Sequence, residues 1–453
     1  MFQNNLKIEE RKDRAVRLIF LLAPVLFFLI LYNKVSLSLI IGVIVLCVLY
    51  LFFKNYLCAL LIISIPSLTL GKILNISITA NWVYEARLAE ILILISALLF
   101  ILDILFGDVV KKIKINFIVV LLYIYLLFSL YSYQEIVDFR YFIFGLKVAV
   151  YGFLAYFLAL NLINSKKKII AFLYGLSITS FVLSLQIFFK FYEMGFSSAF
   201  FFERSTILIP IGPIATSAAI LAFLTPLNLV FYYYLDKTNK SKPFIFVSFV
   251  LSFLAVFLTL GKGAILSLFV GLFFIFVRLK NKRVAFMLFF LIFLSVAYFI
   301  FNSFLVGLIE RITFIFADRN TDFRIKEYTT GWRLIKDNFI FGVGTGQQLV
   351  YFKKLLNMET SNLVNNFFLQ AMIDLGIIGF SLIVLLIYSI IKKIKKIIKL
   401  IGKNKEFILG VGFVASMIIA LLNGLVEVTF YALPYAIIFW LSLGVFENID
   451  FKN

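Results

Sequence analysis

Long apolar runs follow one another along almost the whole chain, and they limit the fold more than any other feature. The runs near 86–107, 141–163, 168–191 and 212–235 each supply the roughly 20 apolar residues that a helix needs to cross a hydrocarbon core. A lone strand in lipid would leave its backbone unsatisfied, and the strands of a closed barrel alternate with period 2. No such alternation is sustained here. The 453 residues are 63% hydrophobic and 15% charged, with mean hydropathy +1.07. A soluble domain is about half apolar and a quarter charged. The expected fold is an all-α polytopic membrane protein, a single membrane domain over residues 1–453.

Helices are expected near 18–33, 36–53, 56–71, 86–107, 115–133, 141–163, 168–191, 212–235, 243–260, 263–279, 284–306, 363–390, 407–425 and 430–447. These are fourteen spans, or twelve if 56–71 and one of the pair within 243–279 are discounted. The polar segment 1–17 carries Lys7, Arg11, Lys12, Arg14 and Arg17, and no small-residue cleavage site follows Leu31, so the first helix is expected to be retained. With the N-terminus in the cytoplasm, the inward loops hold Lys111, Lys112 and Lys114; Lys166–Lys168; Lys237, Lys240 and Lys242; Arg278, Lys280, Lys282 and Arg283; and the run from Lys392 to Lys405. All are basic, as the positive-inside rule requires, and an even helix count puts both termini inside.

Histidine is absent, which removes any imidazole base or ligand from this chain. The two cysteines, Cys47 and Cys58, lie in or beside apolar segments and read as buried thiols. On a soluble protein the net charge of +20 would suggest nucleic acid. Here basic loops beside membrane helices, facing anionic lipid, account for it, and no nucleic-acid partner is expected.

Against that rule stand outward basic residues near helix ends: Arg140, Arg204, Lys262, Arg311, Arg319, Arg324 and Arg333. Some would pair with Asp138, Glu203, Glu310 or Asp322. Several guanidinium groups on one face also suit phosphate, which Arg binds in a bidentate fork. A lipid-linked diphosphate at the outer leaflet is a ligand of that kind.

The longest stretch rich in charge and glycine runs from Arg324 to Gly379 and begins within the large outward loop 307–362. Residues 322–338 carry Phe323, Tyr328, Trp332, Ile335 and Phe339 at helical spacing, with Arg324, Lys326, Arg333 and Lys336 between them. This predicts an amphipathic helix at the membrane interface. Gly342-Val343-Gly344-Thr345-Gly346 lacks the strand and helix of a dinucleotide fingerprint and the Gly-Lys-Ser/Thr of a phosphate loop. It reads as a tight turn, or as a turn whose backbone amides face an anion. Outward carboxylates that could act as bases are Glu203, Asp322, Glu327, Glu359 and Glu427, with Asp374 inside the following helix. Spacing alone does not rank them.

The order Arg324, Trp332, Asp337-Asn338, Gly342-Val343-Gly344, then Asn365-Asn366-Phe367-Phe368-Leu369-Gln370 and Asp374-Leu375-Gly376-Ile377-Ile378-Gly379 resembles the O-antigen ligase/polymerase superfamily. Leu258-Thr259-Leu260-Gly261-Lys262-Gly263-Ala264 is similar to that family's basic step between two helices, with Lys in place of Arg. The resemblance covers roughly 135–390. It implies a GT-C-like bundle of twelve to fourteen transmembrane helices with one large extracytoplasmic loop. It also implies a membrane glycosyltransferase at the outer face of the bacterial inner membrane, using an undecaprenyl-diphosphate-linked oligosaccharide with neither metal, nucleotide nor other cofactor. Membrane lipids and a chain-length regulator protein are the further partners it implies. It gives Arg140, Arg204, Lys262 and Arg324 the diphosphate, with Gly344, Asn365 and Asn366 as further substrate contacts, and makes Arg324, Glu327 and Asp322 the catalytic candidates. Ligases of the family resemble one another in a His-Asn pair where this chain has Asn365-Asn366. Asn is no general base, and that departure favours a polymerase of lipid-linked repeats over a ligase to lipid A core or another acceptor. A lipid-linked oligosaccharide flippase is less favoured, because the membrane interiors carry almost no charge, Lys147 being one exception.

Overall fold

The computed structural model describes residues 56–79, 82–106, 113–195, 207–279, 319–356, 363–399 and 405–449. In chain order its helices are α1 (Leu57–Ser67), α2 (Leu88–Phe106), α3 (Phe117–Tyr131), α4 (Phe139–Leu162), α5 (Lys166–Glu193), α6 (Ile214–Tyr234), α7 (Lys242–Leu258), α8 (Lys262–Arg278), α9 (Arg319–Asp337), α10 (Gln348–Leu355), α11 (Phe367–Lys399), α12 (Lys405–Gly424) and α13 (Leu433–Glu447). Two small hairpins complete it: β1 (Lys72–Thr79) with β2 (Trp82–Arg87), and β3 (Leu208–Ile209) with β4 (Gly212–Pro213), each antiparallel. Among the described residues, seven helices are long and apolar enough to cross a membrane. The protein is an all-α polytopic membrane protein. The spans expected near 18–33, 36–53 and 284–306 lie outside the described residues; the other eleven expected spans each meet a helix.

Two local features depart from the sequence reading. Residues 72–87 form a β-hairpin in what reads as an outward loop, with Lys72 opposite Arg87 and Ile76 opposite Tyr84. Its β-branched and aromatic residues favour extended backbone, but the pattern is too short to register as a strand period. The helix expected over 363–390 is broken at Gly376, whose backbone (φ 61°, ψ −159°) is not helical.

The chain divides into two compact units. The smaller comprises 1–60 and 94–112, and its described residues are the start of α1 and the later turns of α2. The larger comprises 61–93 and 113–453 and holds every residue discussed below. At its centre stands α6, 89% of whose membrane-length window is buried. Around α6 pack α5, α7, α8 and α12, while α13 packs along α4 and α3 joins α4 to α11. Lipid tails are as apolar as leucine, so such helices associate through close backbone approach and interhelical hydrogen bonds. Gly444 of α13 illustrates the first: a Cβ there would lie 2.6 Å from the Tyr156 carbonyl of α4. Asn228 of α6 illustrates the second. It accepts from Ser177 Oγ at 2.8 Å and donates to Ser180 Oγ at 2.6 Å, both on α5. Near Pro226, the Phe223 carbonyl accepts from Ser416 Oγ of α12 at 2.7 Å.

The two ends of the larger unit differ in chemistry. One end ties Lys114 to Asn448, Lys166 to Glu406 and Lys393 to Glu447. These are the basic loops expected to face inward. The other end gathers the hairpins, α9, α10 and the glycine loop, and it carries the candidate site.

Candidate functional site

The glycine loop is a staple that joins three elements. The break at Gly376 withholds from the Ile373 and Asp374 carbonyls the partners that an unbroken helix would supply at 377 and 378. Buried carbonyls need donors. The loop provides them: Val343 N–H donates to the Ile373 carbonyl and Gly344 N–H to the Asp374 carbonyl, each at 2.9 Å. In return Ile377 N–H donates to the Phe339 carbonyl at 2.9 Å. Gly346 N–H and Gln370 Nε2 both donate to Asp374 Oδ2, at 3.2 and 3.0 Å. The acceptor that this turn faces is thus a carboxyl group of the chain itself, that of Asp374. Gly342 (φ +74°) lies so close that a Cβ would come within 2.5 Å of the Asp374 backbone and of Gly376 N. On its other side Thr345 N–H donates to Ser132 Oγ at 3.1 Å. Gln347 accepts through Oε1 from the amides of Val137 and Asp138, and donates to the Asp138 carbonyl at 2.9 Å. The loop therefore fixes the start of α4 against α11, and the amide of Gly344 is committed within the fold.

On that staple rests α9, which has the amphipathic character read from its sequence. Leu334 and Ile335 are buried with Val343, Phe352, Val364 and Ile373, while Trp332, Arg333 and Lys336 face outward. Gly331 lets α9 approach α11 closely, since a Cβ there would lie 2.9 Å from Ile373 Cδ1. One turn earlier on this inner face is a carboxylate. Glu327 is 0% exposed. Its Oε2 accepts from Asn365 Nδ2 at 3.0 Å, and its Oε1 has no hydrogen-bond partner among the described residues. Tyr328 hydroxyl donates to the Asn365 carbonyl at 3.1 Å and so steadies the residue that orients Glu327. Burial pushes the Glu327 carboxyl up to about 7; the Asn365 bond and the nearby Arg324 charge oppose this in part, and Glu427 adds to it.

Arg324 lies three residues before Glu327 on α9, and its guanidinium is 4.0 Å from Glu427 Oε1. Helix residues at that spacing are surface neighbours. The start of α8 abuts the same acidic segment: a Cβ on Gly263 would meet Asn423 Oδ1 at 3.0 Å and Glu427 Cγ at 3.7 Å. This places Lys262, exposed in the first turn of α8, beside the segment that holds Glu427. The step into α8 is strained, because Leu260 takes a left-handed conformation (φ +48°) that side chains with a Cβ rarely adopt.

The structure separates the paired asparagines. Asn365 orients Glu327, whereas Asn366 caps α11 by accepting the amides of Phe368 and Leu369 at 3.0 Å, and donates to the Leu425 carbonyl at 3.0 Å. Glu327, Arg324, Asn365 and Lys262 thus converge on one region, and Gly344 and Asn366 hold its frame. Arg140 stands apart at the start of α4, in a bidentate contact with Asp138 at 2.6 and 3.1 Å. That contact holds the Asp138 carboxyl below its ordinary value. Glu203, Arg204 and Glu359 lie outside the described residues, as does the side chain of Asp322.

Sequence reasoning left a second charged cluster unassigned. Around Arg140 stand Lys72, Glu85, Arg87 and Lys147, lining a cleft of about 300 Å³. The outward Arg140 and the intramembrane Lys147 were its sequence signals; Glu90, the buried partner shared by Arg87 and Lys147, sits three residues after Arg87 at the head of α2 and reads as an ordinary helix residue. Between this cleft and α11 runs a narrow apolar slot of about 70 Å³. Val148 and Tyr431 line both spaces, and Phe367 and Phe368 form part of the slot's wall.

No curated protein matches the chain. Residues 247–384 match the family model described as O-antigen ligase. The matched region runs from α7 to the middle of α11 and contains Lys262, Arg324, Glu327, Gly344, Asn365 and Asn366, whereas Arg140 precedes it. With the converging residues described above, this match supports the O-antigen ligase/polymerase superfamily for the chain.

Proposed function

We propose that the protein is a membrane glycosyltransferase that polymerises undecaprenyl-diphosphate-linked oligosaccharide repeats at the outer face of the inner membrane. The observation that carries this reading is Glu327: a buried carboxylate with one oxygen held by Asn365, the other without a partner among the described residues, and a guanidinium one turn away. A general base works best when its pKa lies near the working pH, and burial brings Glu327 there. In a chain without histidine, this carboxylate takes the place of an imidazole.

In the proposed reaction a sugar hydroxyl of the acceptor repeat gives its proton to Glu327. Its oxygen attacks the anomeric carbon of the growing chain, forming the new glycosidic bond. The bond from that carbon to the donor diphosphate breaks, and the electron pair leaves with the diphosphate. Arg324, with Lys262 beside it, stabilises the charge building on the leaving group, and such preorganised electrostatics is usually the largest catalytic term. The donor carries its own leaving group, so the transfer draws on no nucleotide sugar.

The family description names a ligase, which keeps transfer to lipid A core or another acceptor as the alternative. The surface glycan of a deletion strain, run beside its carrier-linked pool, separates the two. Single repeats with no ladder are expected. A ladder stranded on the lipid carrier would instead identify a ligase. Arg324→Ala should abolish elongation while the protein still inserts, and normal long chains from that variant would overturn the assignment.

A further inference from the structure

We propose that the cleft at the outward end of α4 is a second diphosphate site, holding the headgroup of the lipid-linked acceptor apart from the donor at Arg324; this rests on the polymerase reading above. Four cations line the cleft, Lys72, Arg87, Arg140 and Lys147. Three carboxylates oppose them: Glu85 pairs with Lys72, Asp138 with Arg140, and Glu90 with both Arg87 (3.5 Å) and Lys147 (2.6 Å). Among the described residues, four positive charges against three negative leave the cluster cationic. Glu90 is fully buried and shared by two cations, and Lys147 also donates to the Glu85 carbonyl at 2.9 Å. Arg87 Nη2 donates to the Ile211 carbonyl at 3.3 Å, but its buried Nε has no hydrogen-bond partner among the described residues. A buried guanidinium donor without an acceptor is costly, and an incoming phosphate oxygen would satisfy it. Charges at this depth are expensive for a membrane protein to keep, and by default they mark a site.

The position of the cleft suits an acceptor. A donor's reacting carbon is bonded directly to its diphosphate, so the donor's anion must lie beside the base. An acceptor reacts through a hydroxyl on its sugar repeat, so its own diphosphate must be anchored some distance from the base. The apolar slot provides that separation, with Val148 and Tyr431 on the cleft side and Phe367, next but one to Asn365, on the other. The rim of the cleft also passes to apolar surface: Phe144 lines it and is 43% exposed on α4. A prenyl chain attached to a diphosphate in the cleft would leave along that face, which distinguishes a lipid headgroup from a free anion.

The test is equilibrium binding of radiolabelled farnesyl diphosphate to the purified full chain in detergent, in an Arg324→Gln background so that the cleft reports alone. Lys72 and Arg140 are about half exposed, and Glu85 and Asp138 keep contact with solvent without them. Lys72→Gln with Arg140→Gln should therefore fold, which thermal melting checks, and should weaken binding at least tenfold. Lys353→Gln with Lys354→Gln, which removes two charges from α10, should change it less than twofold. Undiminished binding after loss of Lys72 and Arg140 would overturn the site. Inorganic diphosphate should compete poorly; competition as strong as that of unlabelled farnesyl diphosphate would overturn the lipid assignment. Elongation by Glu327→Gln tests the polymerase reading separately, since that change leaves the cleft intact.

Discussion

Replacing Glu327 by Gln keeps the shape and the Asn365 contact but removes the charge, and two measured quantities should then move in opposite directions. Burial raises the carboxyl from an ordinary 4.5 to about 7. At ~1.4 kcal/mol per pKa unit, holding it ionised in the fold costs on the order of 3 kcal/mol. The sign follows from proton linkage. The folded state binds the proton more tightly than the unfolded state, so this group's favourable contribution is complete below pH ~4.5 and is lost as pH rises through about 7. At pH 8 Gln carries no such cost, and Glu327→Gln should melt at the same temperature as the parent or higher. The parent's melting temperature should fall relative to the variant between pH 5 and pH 8. Elongation should drop by about 10²–10⁴-fold, the usual contribution of a general base. Thermal melting in detergent across pH and an elongation assay on lipid-linked repeats read the two quantities independently. A stable variant that elongates at the parent rate would refute the assignment of the base. A melting difference that does not vary with pH would refute the electrostatic account of its burial.

Asn365→Ala removes the side-chain hydrogen bond that favours ionised Glu327 and leaves the one from the Asn365 backbone; a bond to a charged group is worth about 1.5–3 kcal/mol. The acidic limb of the pH–rate profile should move to higher pH by about one to two units, and an unmoved limb would detach Asn365 from the base. Gly342→Ala forces a Cβ into the Asp374–Gly376 backbone at positive φ; strain and overpacking together should cost roughly 2–5 kcal/mol in thermal melting. Asn228→Leu breaks two buried bonds to α5. At ~0.6 kcal/mol per interhelical bond it should lose about 1 kcal/mol of stability and leave elongation unchanged.

How much was readable in advance depended on the range of each interaction. Helices such as α4 and α6 follow from local composition, because any apolar run of that length must close its own backbone hydrogen bonds in lipid. The helical spacing of Tyr328 and Ile335 with basic residues between them likewise announces α9, although Trp332, expected on the same face, turns outward. The fate of the glycine loop was not legible. Its glycines look the same whether the amides face a bound phosphate or Asp374, and only the break at Gly376, 30 to 34 residues away along the chain, decides which. The same holds for Asn365 and Asn366. Adjacent and chemically identical, they diverge because one points at α9 and the other caps α11. Among six outward or buried carboxylates, spacing cannot say that tertiary packing removes Glu327 and Asp374 from solvent, nor that Asp374 is taken up by the glycine loop while Glu327 faces Asn365. The Lys72–Arg87–Lys147 cleft was hidden for a related reason, since hairpin, α2 and α4 meet only in the fold.

In the proposed reaction, a carboxylate base meets a difficulty that an imidazole would not. The donor diphosphate is itself anionic, so its approach raises the cost of ionising Glu327 just when the base must accept a proton from a neutral hydroxyl. A cation has to stand between them, at a distance that does not depend on loop position. Placing Arg324 and Glu327 three residues apart on one helix meets that requirement, because the separation is set by helix geometry and survives any rigid movement of α9. The glycine staple then fixes that helix to the break in α11, whose first residues follow directly on Asn365. The proposed base, its orienting amide and the proposed anion-binding guanidinium are thereby referred to one short segment of backbone. The free energy of folding held in the staple therefore bears on the rate as well as on stability: Gly342→Ala, which touches none of the three groups, should lower elongation more than its loss of folded protein accounts for.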